Sequence, residues 1–294
     1  MVKRPAFTLL ELVMVIVVFG IVASIGADII SSMYKNYLRT RTINRLQAQT
    51  EITLEQIAKR LQYRIKESVI ARNPSVEFLS LADGSVDSNH TVLEWIGYSN
   101  ETLRIGATPL WTGLIDLNPS LRPTLISPGS DFTAAGTLMN ALTNGDVDLT
   151  AGKEAALIFK RPSNPAEFGW GLNANTDGSN ALRVRVGTNQ DELDINSTLP
   201  DEIYEHYHLA HTAYALVPAG NTNDFNLTLR YNYQPWLGGF YNDANTSTAV
   251  MAENVRLFRF RQDANLIRLK LCLHDNNQTG VGDFIVTCKE KVVF

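Results

Sequence analysis

Glu11 is a lone carboxylate within an otherwise apolar stretch. Residues 7–27, FTLLELVMVIVVFGIVASIGA, contain 21 residues and no other charge. At ~1.5 Å per helical residue this stretch measures about 31 Å, which matches the hydrocarbon core of a bilayer. A carboxylate in such a helix is costly unless it is paired, so we expect Glu11 to meet a positively charged group.

Three histidines cluster between strand-like residues: His206, His208 and His211. In a strand, His206 and His208 would share a face, which is how a zinc site can begin. A tyrosine-rich strand can equally hold the rings as ordinary hydrogen-bonded groups. We predict no metal site here.

A second polar segment has oxygen-bearing side chains at calcium-loop spacing. The calcium candidates are Asp275, Asn277, Thr279 and Asp283. No glutamate follows where an EF-hand needs its bidentate ligand, and a polar hairpin turn explains the same residues. We predict no bound metal and no cofactor.

Six asparagines fit the N-x-S/T acceptor pattern: Asn89, Asn100, Asn196, Asn226, Asn245 and Asn277. All except Asn100 have aspartate two residues earlier, whereas only 2 of the other 18 asparagines have an acid there. An acid two residues before the asparagine extends the acceptor pattern to the one recognised by certain bacterial periplasmic oligosaccharyltransferases, whose arginine pairs with that acid. We hypothesise N-glycosylation at the five; the alternative is that polar turns draw Asp and Asn together.

Composition and motifs favour a non-enzymatic protein. The 294 residues are 45% hydrophobic and 19% charged, enough to form a sizeable core. The formal net charge of −4 offers no reason to expect a nucleic-acid partner. The sequence contains no P-loop, no G-x-S-x-G, no H-E-x-x-H and no Cys/His pair of nucleophilic character.

The N-terminus has the pattern of a single membrane anchor. Lys3 and Arg4 precede the apolar stretch and no basic cluster follows for about a dozen residues, so the positive-inside rule places the N-terminus in the cytoplasm. The chain beyond about Asp28 would lie outside. A secretory signal peptide would have a shorter apolar stretch followed by a small-residue cleavage site.

The segment KRPAFTLLEL, residues 3–12, resembles the class III signal of type IV pilins and type II secretion pseudopilins. In that family a membrane-embedded aspartyl peptidase removes a short basic leader, and the new N-terminal residue is N-methylated. The resemblance implies a leader at 1–6, cleavage between Ala6 and Phe7, methylation of Phe7, and Glu11 as the assembly carboxylate that neutralises a neighbouring subunit's amine. Ala6 departs from the family's usual glycine, and Asp28 stands where a proline is frequent.

The resemblance implies a structural subunit, a minor pilin or a J-type minor pseudopilin, that primes or caps a type IV pilus or a type II secretion pseudopilus. Its partners would be other pilins or pseudopilins, the prepilin peptidase and methyltransferase, the inner-membrane assembly platform and membrane lipid. It would cross the bacterial inner membrane once, with a periplasmic head, before entering the filament. The alternative is a periplasmic enzyme or binding protein that uses the N-terminal helix only as a tether.

The elements that position these groups begin with a long helix. No Gly or Pro occurs between residues 27 and 73, so the transmembrane helix, 7–30, can continue as an amphipathic helix over 31–73 that Asn73-Pro74 ends. The predicted buried stripe falls at three- and four-residue steps: Ile43, Leu46, Thr50, Leu54, Ile57, Leu61 and Ile65. A coiled-coil stalk would need a stricter heptad.

Beyond residue 74, short alternating segments separated by Gly, Asn, Asp and Pro indicate β structure. We therefore expect an α+β fold, a long helix packed on one enlarged, mostly antiparallel β domain at 74–294. The predicted strands are 76–81, 91–98, 156–160, 182–186, 212–217, 226–233, 255–261, 266–273 and 283–288. Residues 107–152 should be loops around a few short elements.

Cys272 and Cys288 lie in the last two of these strands. A hairpin centred on the intervening loop would place them opposite each other, and outside the cytoplasm they should form a disulfide. Closing a loop of this size is worth about 3 kcal/mol in the chain-entropy model. The alternative is two separate free thiols.

Overall fold

The computed structural model describes residues 8–74, 77–104, 108–118, 120, 123–170, 180–199, 201–275 and 284–294. Its first element is helix α1 (Leu9–Leu61), which has 53 residues and is about 80 Å long at 1.5 Å per residue. Two short helices follow, α2 (Asn100–Arg104) and α3 (Phe132–Leu142). Together with the β strands they give the predicted α+β fold.

Thirteen strands are described: β1 (Ile70–Arg72), β2 (Phe78–Ser80), β3 (Val92–Gly97), β4 (Thr124–Ile126), β5 (Ala155–Phe159), β6 (Ala181–Val186), β7 (Glu192–Ile195), β8 (Tyr207–Ala210), β9 (Thr212–Asn221), β10 (Asp224–Tyr233), β11 (Ser247–Asp263), β12 (Leu266–His274) and β13 (Val286–Val293). Every described strand pair is antiparallel. Three 3₁₀ turns complete the order: Lys66–Ser68, Pro165–Phe168 and Pro235–Leu237.

The strands form two sheets. The larger has eight strands in the order β13-β12-β11-β10-β9-β3-β1-β2, and the smaller has five in the order β4-β7-β6-β5-β8. Residues 124–210 lie mainly in the smaller sheet. They form an insertion between β3 and β9 of the larger sheet. The head is thus one enlarged β region with two sheets, which the alternating pattern did not distinguish.

The second half of α1 packs against the larger sheet, over β11, β12 and β13. Its apolar side chains and those of the sheet form one buried core, which includes Leu46, Leu54, Ile57, Leu61, Leu216, Leu227, Leu269 and Leu271. The predicted stripe is confirmed from Leu46 to Leu61, and Thr53 is buried beside it. Because the stripe repeats every three or four residues, it covers one face of the helix only.

The predicted end of the helix at residue 73 is wrong, since α1 ends at Leu61. Arg64 is buried, and its guanidinium donates to the carbonyls of Leu61 (2.8 Å), Phe294 (3.0 Å) and Asn265 (3.1 Å). The Ile65 amide donates to the Ile96 carbonyl at 2.8 Å. These tertiary bonds turn the chain into β1, so the β region begins at Ile70 rather than at residue 74, and the amphipathic segment 31–73 is shortened.

The nine predicted strands are confirmed in position, although several bounds move. β11 is the clearest case, because it starts at Ser247 rather than at residue 255. Strands β1, β4, β7 and β8 were not predicted. Each has only three or four residues, too few for an alternating pattern to stand out.

Candidate functional site

The N-terminal end of α1 holds Glu11 in a capping box with Thr8. The Thr8 amide and hydroxyl both donate to Glu11 Oε2, at 3.1 and 3.0 Å, and the Glu11 amide donates to the Thr8 hydroxyl at 3.3 Å. This reciprocal arrangement satisfies amides that a helix start leaves unpaired. Within one chain, therefore, the Glu11 carboxylate caps the N-terminal end of its own helix.

The predicted cleavage and methylation sites, Ala6 and Phe7, lie outside the described residues. The structure places Glu11 in the first turn of α1, as its third residue and three positions after the capping Thr8. Cleavage, methylation and the role of Glu11 in assembly stay predictions.

The first part of α1, residues 9–41, forms the protruding half of the helix. None of its residues is buried, and most of its apolar side chains are more than half exposed. Its most apolar 18-residue window has a mean hydropathy of 2.6 and no buried residue. The helix is long and apolar enough to span a membrane, and a soluble domain rarely leaves so much contiguous apolar surface uncovered.

The second part of α1, residues 42–61, is the docked half. Besides its buried stripe it makes ion pairs with the C-terminal hairpin. Lys289 donates to Glu51 at 2.6 Å, Lys291 pairs with Glu55, and Arg45 lies 3.2 Å from Asp275. The hydrogen bond from Lys289 lowers the pKa of Glu51. The pairs of Glu51 and Glu55 with the two lysines align the helix along β13 rather than supply most of its stability.

The predicted disulfide is confirmed. Cys272 on β12 and Cys288 on β13 are direct partners in the strand register, and their sulfur atoms are 2.05 Å apart. The bond closes the hairpin against which the docked half of α1 rests. Because β13 is an edge strand of the larger sheet, this covalent link holds it to β12 independently of the ladder hydrogen bonds.

The clustered histidines occupy three different environments. His206 is exposed, the His208 ring stacks on Tyr98 with centroids 5.0 Å apart, and His211 is buried. Burial lowers the pKa of His208 and of His211 to about 4. Among the described residues there is no group of three His, Cys, Asp or Glu side chains that could hold a metal ion.

The calcium candidates are only partly described. Asp275 uses Oδ1 in its ion pair with Arg45. Asn277, Thr279 and Asp283 lie outside the described residues. The one candidate that can be placed therefore helps to attach the helix, a role that the sequence did not indicate.

The described glycosylation candidates are more exposed than Asn100, the acceptor asparagine that has no preceding acid. Asn89, Asn196, Asn226 and Asn245 are exposed, whereas Asn100 is only partly exposed at the start of α2. Asn277 lies outside the described residues.

A buried serine–histidine contact has no counterpart among the residues that the sequence indicated. The Ser99 hydroxyl lies 2.9 Å from His211 Nδ1 and accepts a hydrogen bond from Thr102 at 2.7 Å. Thr102 in turn accepts one from the Trp111 indole at 2.8 Å. Because Ser99 is fully buried, this chain of bonds holds the junction of β8 and β9, where His211 lies, against α2 instead of presenting a nucleophile. Ser99 and His211 are 112 positions apart, so no local pattern could have indicated the contact.

A cleft of about 450 Å³ lies where the end of α1 meets α2, α3 and the larger sheet. Tyrosines from all sides line it: Tyr63, Tyr98, Tyr214 and Tyr231. Asn232, also in the lining, is 6% exposed, and its Oδ1 has no hydrogen-bond partner among the described residues. Its Nδ2 donates to the Thr143 carbonyl and to Asp146, both at 2.8 Å. The cleft thus combines aromatic walls with a buried acceptor.

Comparison of the chain with protein-family models, with curated proteins and with solved structures gives no match. Its class must therefore be argued from its own sequence and structure, which combine a long, apolar N-terminal helix with a β region.

Proposed function

We propose that the protein is a pilin-like structural subunit of a type IV pilus or a type II secretion pseudopilus. The observation that carries the proposal is the N-terminal segment. It combines the KRPAFTLLEL pattern with one acid, Glu11, at the start of an apolar helix that extends about 50 Å beyond its first contacts with the head.

The protruding half suits two successive environments. In the inner membrane its apolar side chains face lipid, and in a filament they face the equivalent helices of neighbouring subunits. Cleavage before Phe7 would create an amine next to this surface. An amine and a carboxylate are each costly alone in an apolar bundle and tolerable as a pair, so Glu11 would exchange its bonds with Thr8 for the amine of the next subunit and set the axial register.

The head favours a place at the filament tip. The two sheets and thirteen strands in the described part of the chain make it large, and a bulky head would crowd a closely spaced helical lattice. A subunit at the tip has no neighbour above it. We therefore assign the protein to priming or capping of the filament, together with the processing peptidase, other pilins or pseudopilins and the inner-membrane assembly platform.

Assembly can be tested with two charge-removing variants on the same helix. Glu11→Leu removes the acid of the protruding half, and the matched control, Glu51→Gln, removes one from the docked half. Filaments sheared from the native host would be separated from membranes and both fractions immunoblotted, and the N-terminus of each protein would be sequenced.

We expect the parent and Glu51→Gln to begin at methylated Phe7 and to enter the filament fraction. Glu11→Leu should stay in the membrane fraction and lose methylation. A Glu11→Leu protein that polymerises as readily as the parent would contradict the proposal. An uncleaved parent protein, with Met1 at its N-terminus, would also contradict it.

The cleft supports a second candidate, a tethered periplasmic binding protein. Asn232 Oδ1 would accept a hydrogen bond from a hydroxyl or amine, and tyrosines would pack against the ligand. This candidate requires an uncut N-terminus and a head that binds its ligand without any filament, so N-terminal sequencing of the native protein distinguishes it from a pilin-like subunit.

A further inference from the structure

The five acceptor asparagines that follow an aspartate share two properties that the sixth lacks. One is the acid itself, since Asn100 has Tyr98 at that position. The other is exposure, which holds for all four that the structure describes: Asn89, Asn196, Asn226 and Asn245. A general preference of turns for acids does not explain why the aspartate occurs together with the N-x-S/T pattern. Asparagines outside that pattern rarely have an acid two residues earlier.

The hydroxyl residues of the acceptor patterns also differ in exposure. Thr102, the hydroxyl partner of Asn100, is fully buried and bonded to Trp111 and Ser99. Thr198, which serves Asn196, is exposed. In the folded head an enzyme could therefore reach the hydroxyl that serves Asn196 but not the one that serves Asn100.

Asn89 illustrates the local geometry. It lies in the loop between β2 and β3, where its amide and its side-chain nitrogen donate to the two oxygens of Asp87 at 2.9 and 3.1 Å. The amide hydrogen bond lowers the pKa of Asp87. A charged carboxylate therefore stands beside the asparagine, exposed to a cationic group of a modifying enzyme.

Asn226 is placed differently, because it lies within β10, paired with Ala219 of β9. Its hydroxyl partner, Thr228, is buried and donates to the Val217 carbonyl at 2.8 Å. This site is open to an enzyme only before β10 joins the sheet. Asn89 and Asn245, which lie in loops, remain open after folding.

We propose that the four described asparagines, Asn89, Asn196, Asn226 and Asn245, accept N-linked oligosaccharides. The donor would be a lipid diphosphate-linked oligosaccharide. The side-chain nitrogen attacks C1 of the first sugar, the C1–O bond to the diphosphate breaks, the nitrogen loses one proton, and the lipid diphosphate leaves. The inference rests on the part of the proposed function that places the head outside the cytoplasm.

The test uses the full-length protein from membranes of the native host. Intact mass and glycopeptide mapping are expected to give a mass above the disulfide-bonded polypeptide by whole multiples of one oligosaccharide, with Asn100 bare. Asp87→Ala keeps Asn89 and Thr91 but removes the acid, and should lose the glycan at Asn89 alone. The matched Asp83→Ala variant removes an exposed acid from the same loop, where no acceptor asparagine follows two residues later, and should leave the glycan pattern of the parent unchanged.

A bare intact mass would overturn the proposal, as would a glycan on Asn100 or full occupancy of Asn89 in Asp87→Ala. The N-terminal peptide from the same sample reports on the proposed function separately. A bare protein that begins at Phe7 refutes glycosylation and leaves the pilin-like assignment intact. A glycosylated protein that begins at Met1 supports glycosylation and refutes the assignment.

Discussion

The two halves of α1 belong to one unbroken helix but meet different surroundings. The protruding half, residues 9–41, is the more apolar and has no buried residue, whereas the docked half, residues 42–61, is rich in charge and buries a full stripe. Apolar content therefore does not decide which half the head covers. The docked half is covered because its apolar groups are confined to one face and complement the larger sheet. Residues 12–27 of the protruding half carry no charge and are apolar on all sides, so they need a surrounding apolar phase.

Truncation of one apolar side chain in each half should produce the largest contrast. Leu61 is 0% exposed and Ile16 is 62% exposed. Leu61→Ala is expected to cost about 2–5 kcal/mol of unfolding free energy, and Ile16→Ala less than about 0.5 kcal/mol. Urea unfolding of the detergent-solubilised protein, followed by tryptophan fluorescence, measures this, because all four tryptophans are buried in the head. Equal losses would contradict the division of the helix.

Acid should destabilise the head, in which His211 is buried. Since the folded pKa of His211 is about 4 and the unfolded value is about 6.5, the unfolded chain binds the proton first as pH falls. The stability from neutral His211 is complete above about pH 6.5 and is lost toward pH 4, on the order of 3 kcal/mol. His211→Gln should flatten the dependence of unfolding free energy on pH in this window, and the exposed His206→Gln control should not.

Loss of the disulfide should weaken the surface on which the docked half rests. Cys272→Ser combined with Cys288→Ser is expected to lower the unfolding free energy by about 3 kcal/mol, since the two cysteines are 16 positions apart. A thiol reductant should shift the urea midpoint of the parent to that of the double variant and leave the double variant unchanged. A reductant that shifts both proteins equally would mean that the bond is not the cause.

The ion pairs along β13 should have the smallest effect. Glu51→Gln and Glu55→Gln each remove one exposed pair, and such pairs contribute little in water. We expect a small fall in urea midpoint that vanishes in about 1 M salt, where the screening length is about 3 Å. A large, salt-insensitive loss would show that the pairs, rather than the buried stripe, hold the docked half in place.

Local patterns were sufficient for much of the architecture. The apolar stretch around Glu11 and the three- and four-residue steps from Leu46 to Leu61 predicted the helix and its buried face, because both signals depend on neighbours within a few turns. The alternating segments predicted nine strands, and the position of the two cysteines at either side of a turn predicted their bond. Each of these inferences used contacts that are close in sequence.

The tertiary structure decided where the helix ends and how the head divides. Nothing between Leu61 and Asn73 breaks a helix locally; Arg64 ends it through carbonyls as remote as Phe294. In the same way Arg72 and Glu94 form a buried ion pair between β1 and β3, and Tyr233 completes it with a 3.0 Å hydrogen bond to Glu94. Such pairings join residues far apart in the chain. They stabilise the protein only after the sheets have formed, so no local sequence pattern predicts them.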